Sequence, residues 1–376
     1  MKTLFITYSY LGGHGGGVYA SRTHINLFAA LSEKLTLVYP YKQGEEPRGI
    51  NEAKIEMIPV SDPRSNARKF SDLLRGKVHR YHLSNDFFDK GKYDVVVFDS
   101  SVVSSGLIKK FKKAGMKTVT IHHNYQIEYL LGDGSWLTLL PDLFWTRIYE
   151  RQAVRNSDLN ITLTQQDVEL LQHHYGGEAP FAVLGVFEYQ QSTPAAITPG
   201  VRGHRYVMTG GLGFKQTEDS VIRWIKEYYP ELKKTDSSAW VTIAGSSPSE
   251  RLRGLVEEAG IELIASPTDM APILRNADYY LCPVDRGGGL KLRNLDGLKY
   301  GLPVLAHKVS IRGYEKMQEQ GVIFSYETKE EFAAGVVQLN SLTLGKSEIQ
   351  RMYLQQYQFD RGVKRMKDIL TRNGIM

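Results

Sequence analysis

The run Asp94-Val95-Val96-Val97-Phe98-Asp99 is apolar at every position between two carboxylates. A strand with one wet face alternates polar and apolar residues. An uninterrupted run of this length needs cover on both faces, the condition of an inner strand in a parallel sheet. Similar short runs stand at 4–6, 35–39, 117–121 and 159–163. Between them lie segments with helical spacing: 21–34, where Ile25, Phe28, Ala29 and Leu31 share a face, then 105–114 and 145–156. Strands alternating with helices predict an α/β fold with a doubly wound parallel sheet.

The pattern breaks at 191–203, which holds Ser192, Thr193, Pro194, Thr198, Pro199 and Gly200, and then restarts. Strands are expected at 205–209, 240–244, 261–264, 279–283 and 303–306, and helices at 217–229, 250–259, 270–276, 292–300, 329–339 and 349–371. The chain therefore divides into a domain over 1–190, a linker over 191–203, a second domain over 204–355 and a closing helical segment over 356–376. Ligands of such folds bind at the carboxyl ends of the strands, which in a two-domain arrangement places a site in the cleft between the sheets. Composition narrows the class further. A single cysteine, Cys282, excludes an internal disulfide and a cysteine-built zinc site. No apolar segment is long enough to span a bilayer and none reads as a signal peptide, so a cytoplasmic protein is expected. The formal charge of +6 is compatible with an anionic small ligand, a membrane surface or nucleic acid and does not choose among them. Its basic residues do not interleave with aromatics in a nucleic-acid module, so no nucleic-acid partner is expected.

Four loops are candidates for chemistry. The first is Gly12-Gly13-His14-Gly15-Gly16-Gly17, after the first strand. Gly15 and Gly16 allow close backbone approach of a ligand, with a flexible turn as the plainer reading. The spacing is neither the dinucleotide-binding nor the P-loop pattern. The second is His122-His123-Asn124, after the strand at 117–121. His123 can bond a ligand hydroxyl or steady a developing charge, and the plainer reading is a helix cap on Asn124. No histidine or acid at regular spacing accompanies the pair, so no metal site is expected. The third, and the most specific, runs from Asp285 to Ala306. Gly287, Gly288, Gly289 and Leu290 turn the chain into a helix start. Lys291 and Arg293 neutralise phosphate, and Asp296 is placed to accept from a ribose diol. The fourth is Gly210-Gly211-Leu212-Gly213-Phe214-Lys215, whose lysine could flank the same diphosphate as Lys291. Gly245, after the strand at 240–244, is a further loop glycine that could line a nucleoside pocket, a plain turn being the equal alternative.

Taken in order, these residues resemble the retaining, nucleotide-sugar-dependent GT-B glycosyltransferases of bacterial polysaccharide type. The likeness is carried by 287–305 and supported by His123-Asn124, 160–167, 184–187 and Phe359-Asp360. It implies two Rossmann-like domains facing a cleft and transfer of a sugar from a nucleoside diphosphate donor, UDP foremost. The acceptor would be a glycan, a lipid-linked glycan or a protein, and transfer would proceed with retention, without a metal or other cofactor. The implied assignments are Lys215 and Lys291 at the diphosphate with Gly211, Gly245, Gly288, Gly289, Leu290 and Arg293, Asp296 at the ribose, and His123 at the sugar. The chain departs from the pattern where Asp296 replaces a glutamate and Gly288 an acid. A non-catalytic GT-B subunit and a sugar-nucleotide epimerase are the alternatives. Basic stretches at 64–80 and 109–117, with an apolar-aromatic stretch at 136–145, suit a peripheral contact with an anionic inner membrane face.

Overall fold

In a computed structural model, the structure describes residues 1–13, 15–41, 44, 46–60, 71, 83–104, 106–133, 136–197 and 203–376, without the side chains of 132, 133, 136–139 and 141. The chain forms two units. The first comprises Met1–Ser192 with Tyr357–Met376, and the second Thr193–Gln356.

Among the described residues the first unit holds a seven-stranded parallel sheet. Its strands are β1 (Lys2–Ile6), β2 (Lys34–Pro40), β3 (Ile55–Val60), β4 (Val95–Phe98), β5 (Lys117–His122), β6 (Leu159–Thr162) and β7 (Phe181–Val183). Their spatial order is β3-β2-β1-β4-β5-β6-β7. The run at 95–98 behaves as its composition requires. Val95 and Val97 point into one apolar cluster with Phe5, Leu37 and Phe28. Val96 and Phe98 point into another with Leu4, Val38 and Phe111. Register places Phe5 between Leu37 and Val97, so one apolar row crosses three strands.

The helix expected at 21–34 begins earlier, at Gly16, and spans Gly16–Leu31. Gly15, with φ of +121°, turns the chain into it. The helix expected at 105–114 is shortened to Ile108–Lys113 and preceded by a separate short helix, Ser101–Ser104, with Gly106 in the left-handed region at φ +71° between them. The helix expected at 145–156 is longer and spans Trp136–Asn156. The helix expected at 349–371 is divided: Lys346–Tyr357 and Phe359–Arg372 are separated at Gln358, whose ψ of 153° is extended. The last helix packs on Gly16–Leu31 of the first unit. A Cβ at Gly362 would stand 2.8 Å from the Phe187 ring and 2.9 Å from Leu27, so the close approach depends on glycine. Met366, Ile369 and Leu370 complete that core.

The second unit holds β8 (Arg205–Gly211), β9 (Trp240–Ser246), β10 (Glu262–Ala265), β11 (Tyr279–Cys282), β12 (Val304–His307) and β13 (Ile323–Tyr326). All are parallel, in the order β10-β9-β8-β11-β12-β13. Trp224, Tyr228, Tyr326 and Phe332 form an aromatic cluster within its core. A capping box of Thr328 and Glu331 opens the helix Lys329–Ser341. The segment expected as a linker is partly laid on this unit: Ala195 O accepts from Gln350 at 2.8 Å and Ala196 O from Arg275 at 3.4 Å. Residues 198–202 of it lie outside the described residues.

Candidate functional site

The carboxyl ends of the second sheet carry the glycine loops. β8 and β9 run side by side until Gly210 faces Gly245. A Cβ on Gly245 would lie 1.9 Å from Gly210 O, so no other residue fits without moving backbone. Gly210, at φ +151°, leaves room for the Arg293 guanidinium, whose carbon would stand 3.0 Å from a Cβ there. Arg293 reaches across to donate to Thr217 Oγ1 at 3.0 Å. The fold thus brings together the loop after β8, the first turn of the helix Lys215–Glu227 and the start of the helix Arg293–Lys299. Phe214 closes over Gly211, where a Cβ would meet its ring at 2.5 Å.

The glycine triplet after β11 is built in the same manner. Gly287 and Gly289 have φ of +80° and +73°. Gln216 Nε2 donates to Arg286 O at 2.9 Å and lies where a Cβ of Gly287 would be. Gly288 and Gly289 are buried, and Leu290 is half-buried. The Lys291 ammonium folds back onto the triplet and donates to the carbonyls of Gly287 at 3.1 Å and Gly288 at 3.0 Å. Lys215 is exposed and pairs with Asp219 at 3.3 Å. Asp296 is exposed, with Thr209 Oγ1 at 3.4 Å. Asp285, at the start of this stretch, is engaged by Ser220 Oγ at 2.9 Å, by Arg223 and by Arg286 Nε at 3.2 Å. It ties the loop to the helix Lys215–Glu227.

The first unit gathers its polar groups at the same end of its own sheet. Thr7 follows β1, Asp99 follows β4 and His123 follows β5, while His24 projects from the helix Gly16–Leu31. Asp99 Oδ1 lies 2.9 Å from both His24 Nδ1 and His123 Nε2, and Thr7 Oγ1 donates to Oδ2 at 2.8 Å. The two imidazoles meet edge to face at 5.1 Å and 87°. Burial opposes ionisation of Asp99, but His123 and His24 outweigh it and hold the carboxyl well below the ordinary range. Burial likewise keeps His24 neutral, pushing its pKa down against the pull of Asp99. No histidine or acid stands at regular spacing from His123 in the sequence, and the fold supplies both from distant positions. The three candidate ligand atoms lie within 4.8 Å of one another. The two separations from Asp99 Oδ1, 2.9 Å each, are hydrogen-bond lengths.

His122 points the other way. It is buried, bonds Asn160 Oδ1 at 3.0 Å, and burial pushes its pKa down to about 4. Arg22 fastens the first glycine loop through Leu11 O at 2.6 Å and Gly13 O at 2.8 Å. Gly15 faces open space, and Gly16 starts the helix. His14, the basic residues at 64–80 and the side chains of Trp136, Leu137 and Leu139 lie outside the described residues. Sequence reasoning passed over His24, Thr7 and Asp99. Asp99 was legible only as the end of a strand, although its position there was itself the available signal.

Residues 203–341 match the family model described as Glycosyl transferases group 1. No curated protein matches the sequence. Solved structures similar over the whole chain include the lipopolysaccharide outer core galactosyltransferase WaaB, at 14% identity and a TM-score of 0.66, covering 99% of each chain. HepE of Anabaena in complex with UDP is 13% identical with a TM-score of 0.67, covering 99% of this chain and 100% of that one. Sucrose-phosphate synthase of Thermosynechococcus elongatus is 11% identical with a TM-score of 0.68, covering 99% of each. The chain therefore has the GT-B glycosyltransferase fold, with one Rossmann-like sheet in each unit. The stretch that matches the group 1 glycosyl transferase model lies within the second unit.

Proposed function

We propose that the chain transfers a sugar from a nucleoside diphosphate donor, a UDP-sugar foremost, to a hydroxyl of a glycan or lipid-linked acceptor, with retention and without a metal. The observation that carries this reading is the convergence of Gly210, Thr217 and Arg293 beside the glycine triplet, inside the segment that matches the family. Backbone N–H groups and a guanidinium at helix starts suit the charge that grows on a departing diphosphate. HepE of Anabaena, similar in fold, has been solved with UDP and with UDP-glucose. In this reading Arg293 takes the position nearest the glycine loop. Lys215 and Lys291 exchange their present partners for phosphate, and Asp296 receives the ribose. Calorimetric titration with UDP, GDP and ADP tests it. UDP should bind, and Arg293→Ala or Lys291→Ala should weaken binding by about tenfold each. Absence of binding by every nucleoside diphosphate would overturn the reading.

A lipid-linked acceptor is favoured by one surface of the first unit. Along the helix Trp136–Asn156, Leu140 and Phe144 are 49% and 59% exposed and are followed at helical spacing by exposed Arg147 and Arg151. Apolar side chains beside arginines suit an anionic bilayer surface, at about 1 kcal/mol per basic residue. Among the described residues no helix is long and apolar enough to cross a membrane. Co-sedimentation with phosphatidylglycerol vesicles at low salt should be lost in Phe144→Asp. Equal recovery of the two proteins in the pellet would remove the lipid-surface reading.

A further inference from the structure

Three glycines in a row make a loop that is hard to hold in one shape, because glycine loses more conformational freedom on ordering than any other residue. Gly287 and Gly289 are nonetheless fixed in the left-handed region. The chain on either side of them is anchored to one neighbouring segment. β11 and β12 are parallel neighbours, so the chain leaving the carboxyl end of one emerges beside the chain leaving the other. After β11 comes the loop 283–292. After β12 comes the short 3₁₀ helix Lys308–Ile311, capped by His307 Nδ1, which accepts the Val309 N–H at 3.3 Å. Ser310 of that turn reaches both stalks of the loop. Its hydroxyl donates to Val284 O at 2.6 Å, before the triplet, and its carbonyl accepts from Asn294 Nδ2 at 2.6 Å, after it. Four residues on, Tyr314 OH donates to Lys291 O at 3.0 Å. Lys291 is the residue whose ammonium already bonds the Gly287 and Gly288 carbonyls. Ser310, Asn294 and Tyr314 are completely buried, so these bonds form out of competition with water.

We propose that Ser310 and Tyr314 are positioning residues: they pin the neck of the glycine loop from the β12 side and hold the triplet preset for a phosphate-bearing ligand. Their bonds go to the loop's own backbone, so they act through its shape. A loop held in its binding shape before the ligand arrives loses less of the binding free energy to ordering. The effect therefore falls on donor affinity and not on the chemical step. That the ligand is a nucleoside diphosphate rests on the glycosyl-transfer reading, whereas the pinning of the loop does not.

Three variants of the full-length protein test the proposal. Tyr314→Phe and Ser310→Ala each remove one oxygen and its bond to the loop; the second leaves the carbonyl bond to Asn294 in place. Tyr206→Phe is the control. It removes a comparably buried hydroxyl of the same unit, 2.9 Å from both Asp236 Oδ2 and Asn340 Oδ1, at the opposite, amino-terminal end of β8. In hydrogen exchange, peptides spanning 284–293 should exchange about fivefold faster in the first two variants, with β8 and β9 unchanged. UDP should bind both about fivefold more weakly. In turnover the donor KM should rise by the same factor, with kcat within about twofold of the parent. Tyr206→Phe should leave UDP affinity unchanged. Unaltered exchange in the loop would overturn the pinning. Equal weakening of UDP binding by Tyr206→Phe would mean that lost stability alone is being read, and would overturn the positioning role. Unchanged affinity in both Tyr314→Phe and Ser310→Ala would overturn it as well. If the parent binds no nucleoside diphosphate, the glycosyl-transfer reading fails, and loop exchange still decides whether Ser310 and Tyr314 pin the loop.

Discussion

Gly245 and Gly254 lie nine positions apart, and the structure predicts opposite consequences for the same substitution. At Gly245 an added methyl meets the carbonyl of Gly210 at 1.9 Å and Leu212 at 2.9 Å, so β8 and β9 must part. Gly245→Ala should cost roughly 2–4 kcal/mol. Gly254 sits exposed within the helix Glu250–Glu258 with nothing within 4 Å of an added Cβ. Gly254→Ala should stabilise by roughly 0.5–1 kcal/mol. Urea unfolding of both variants decides; a stabilised Gly245→Ala would refute the close approach of the two strands. At this scale the candidate site was half legible. Glycines, lysines and Arg293 announced themselves because loop chemistry is local in sequence. Thr7, His24 and Asp99 did not, because their meeting depends on the order β1-β4-β5 in the sheet and on the inward face of a helix, which no local spacing encodes. Nor could sequence place the Lys291 ammonium on the carbonyls of its own loop.

Strands buried along their length were legible. β4 and β5 are buried on both sides and read directly from composition. β3, interrupted by Glu56 and Pro59, and β7, only three residues long, are mostly half-buried, and both escaped along with β13. A more consequential feature is the way the start of the helix Gln126–Asp133 is held. Asp167 Oδ1 accepts the Tyr125 N–H at 2.8 Å and Glu150 Oε1 accepts the Gln126 N–H at 2.8 Å. Two carboxylates from other helices thus fix the chain just after His123. Glu150 also accepts from Tyr175 OH at 2.9 Å. Burial pushes the Glu150 carboxyl up to about 7 from 4.5, more than its two donors pull it down. A carboxyl with a raised native pKa holds its proton more tightly folded than unfolded. Its stabilisation is complete below about pH 4.5 and is lost as pH rises through about 7, amounting to about 3 kcal/mol. Glu150→Gln should therefore gain stability relative to the parent between pH 4.5 and 8, read as a widening gap in unfolding free energy. A gap that stays constant across that range would reject the raised pKa.

For the molecule as a whole, the informative fact is that the chain leaves the first unit at Ser192 and re-enters it at Tyr357. The returning segment is more than a tail. Glu188 N–H donates to Tyr357 O at 2.8 Å, Arg365 donates to Val183 O at 2.9 Å, and Met366, Ile369 and Leu370 are buried among the side chains of β1, β2 and the first helix. Removing residues 357–376 should cost the first unit roughly 5 kcal/mol in lost apolar burial while sparing the second. Hydrogen exchange should register this as loss of protection in β1 and β2 with β8 and β9 unchanged; equal loss in both sheets would contradict the division into units.

That topology also sets a schedule during synthesis. The second unit is contiguous, so all of its sheet has left the ribosome while the first still lacks the helix that seals Leu27 and Phe187. The half of the protein made first is completed last. An interval follows in which an apolar groove on the nascent amino-terminal half is open, and a chaperone would find its substrate there and not on the later-made half.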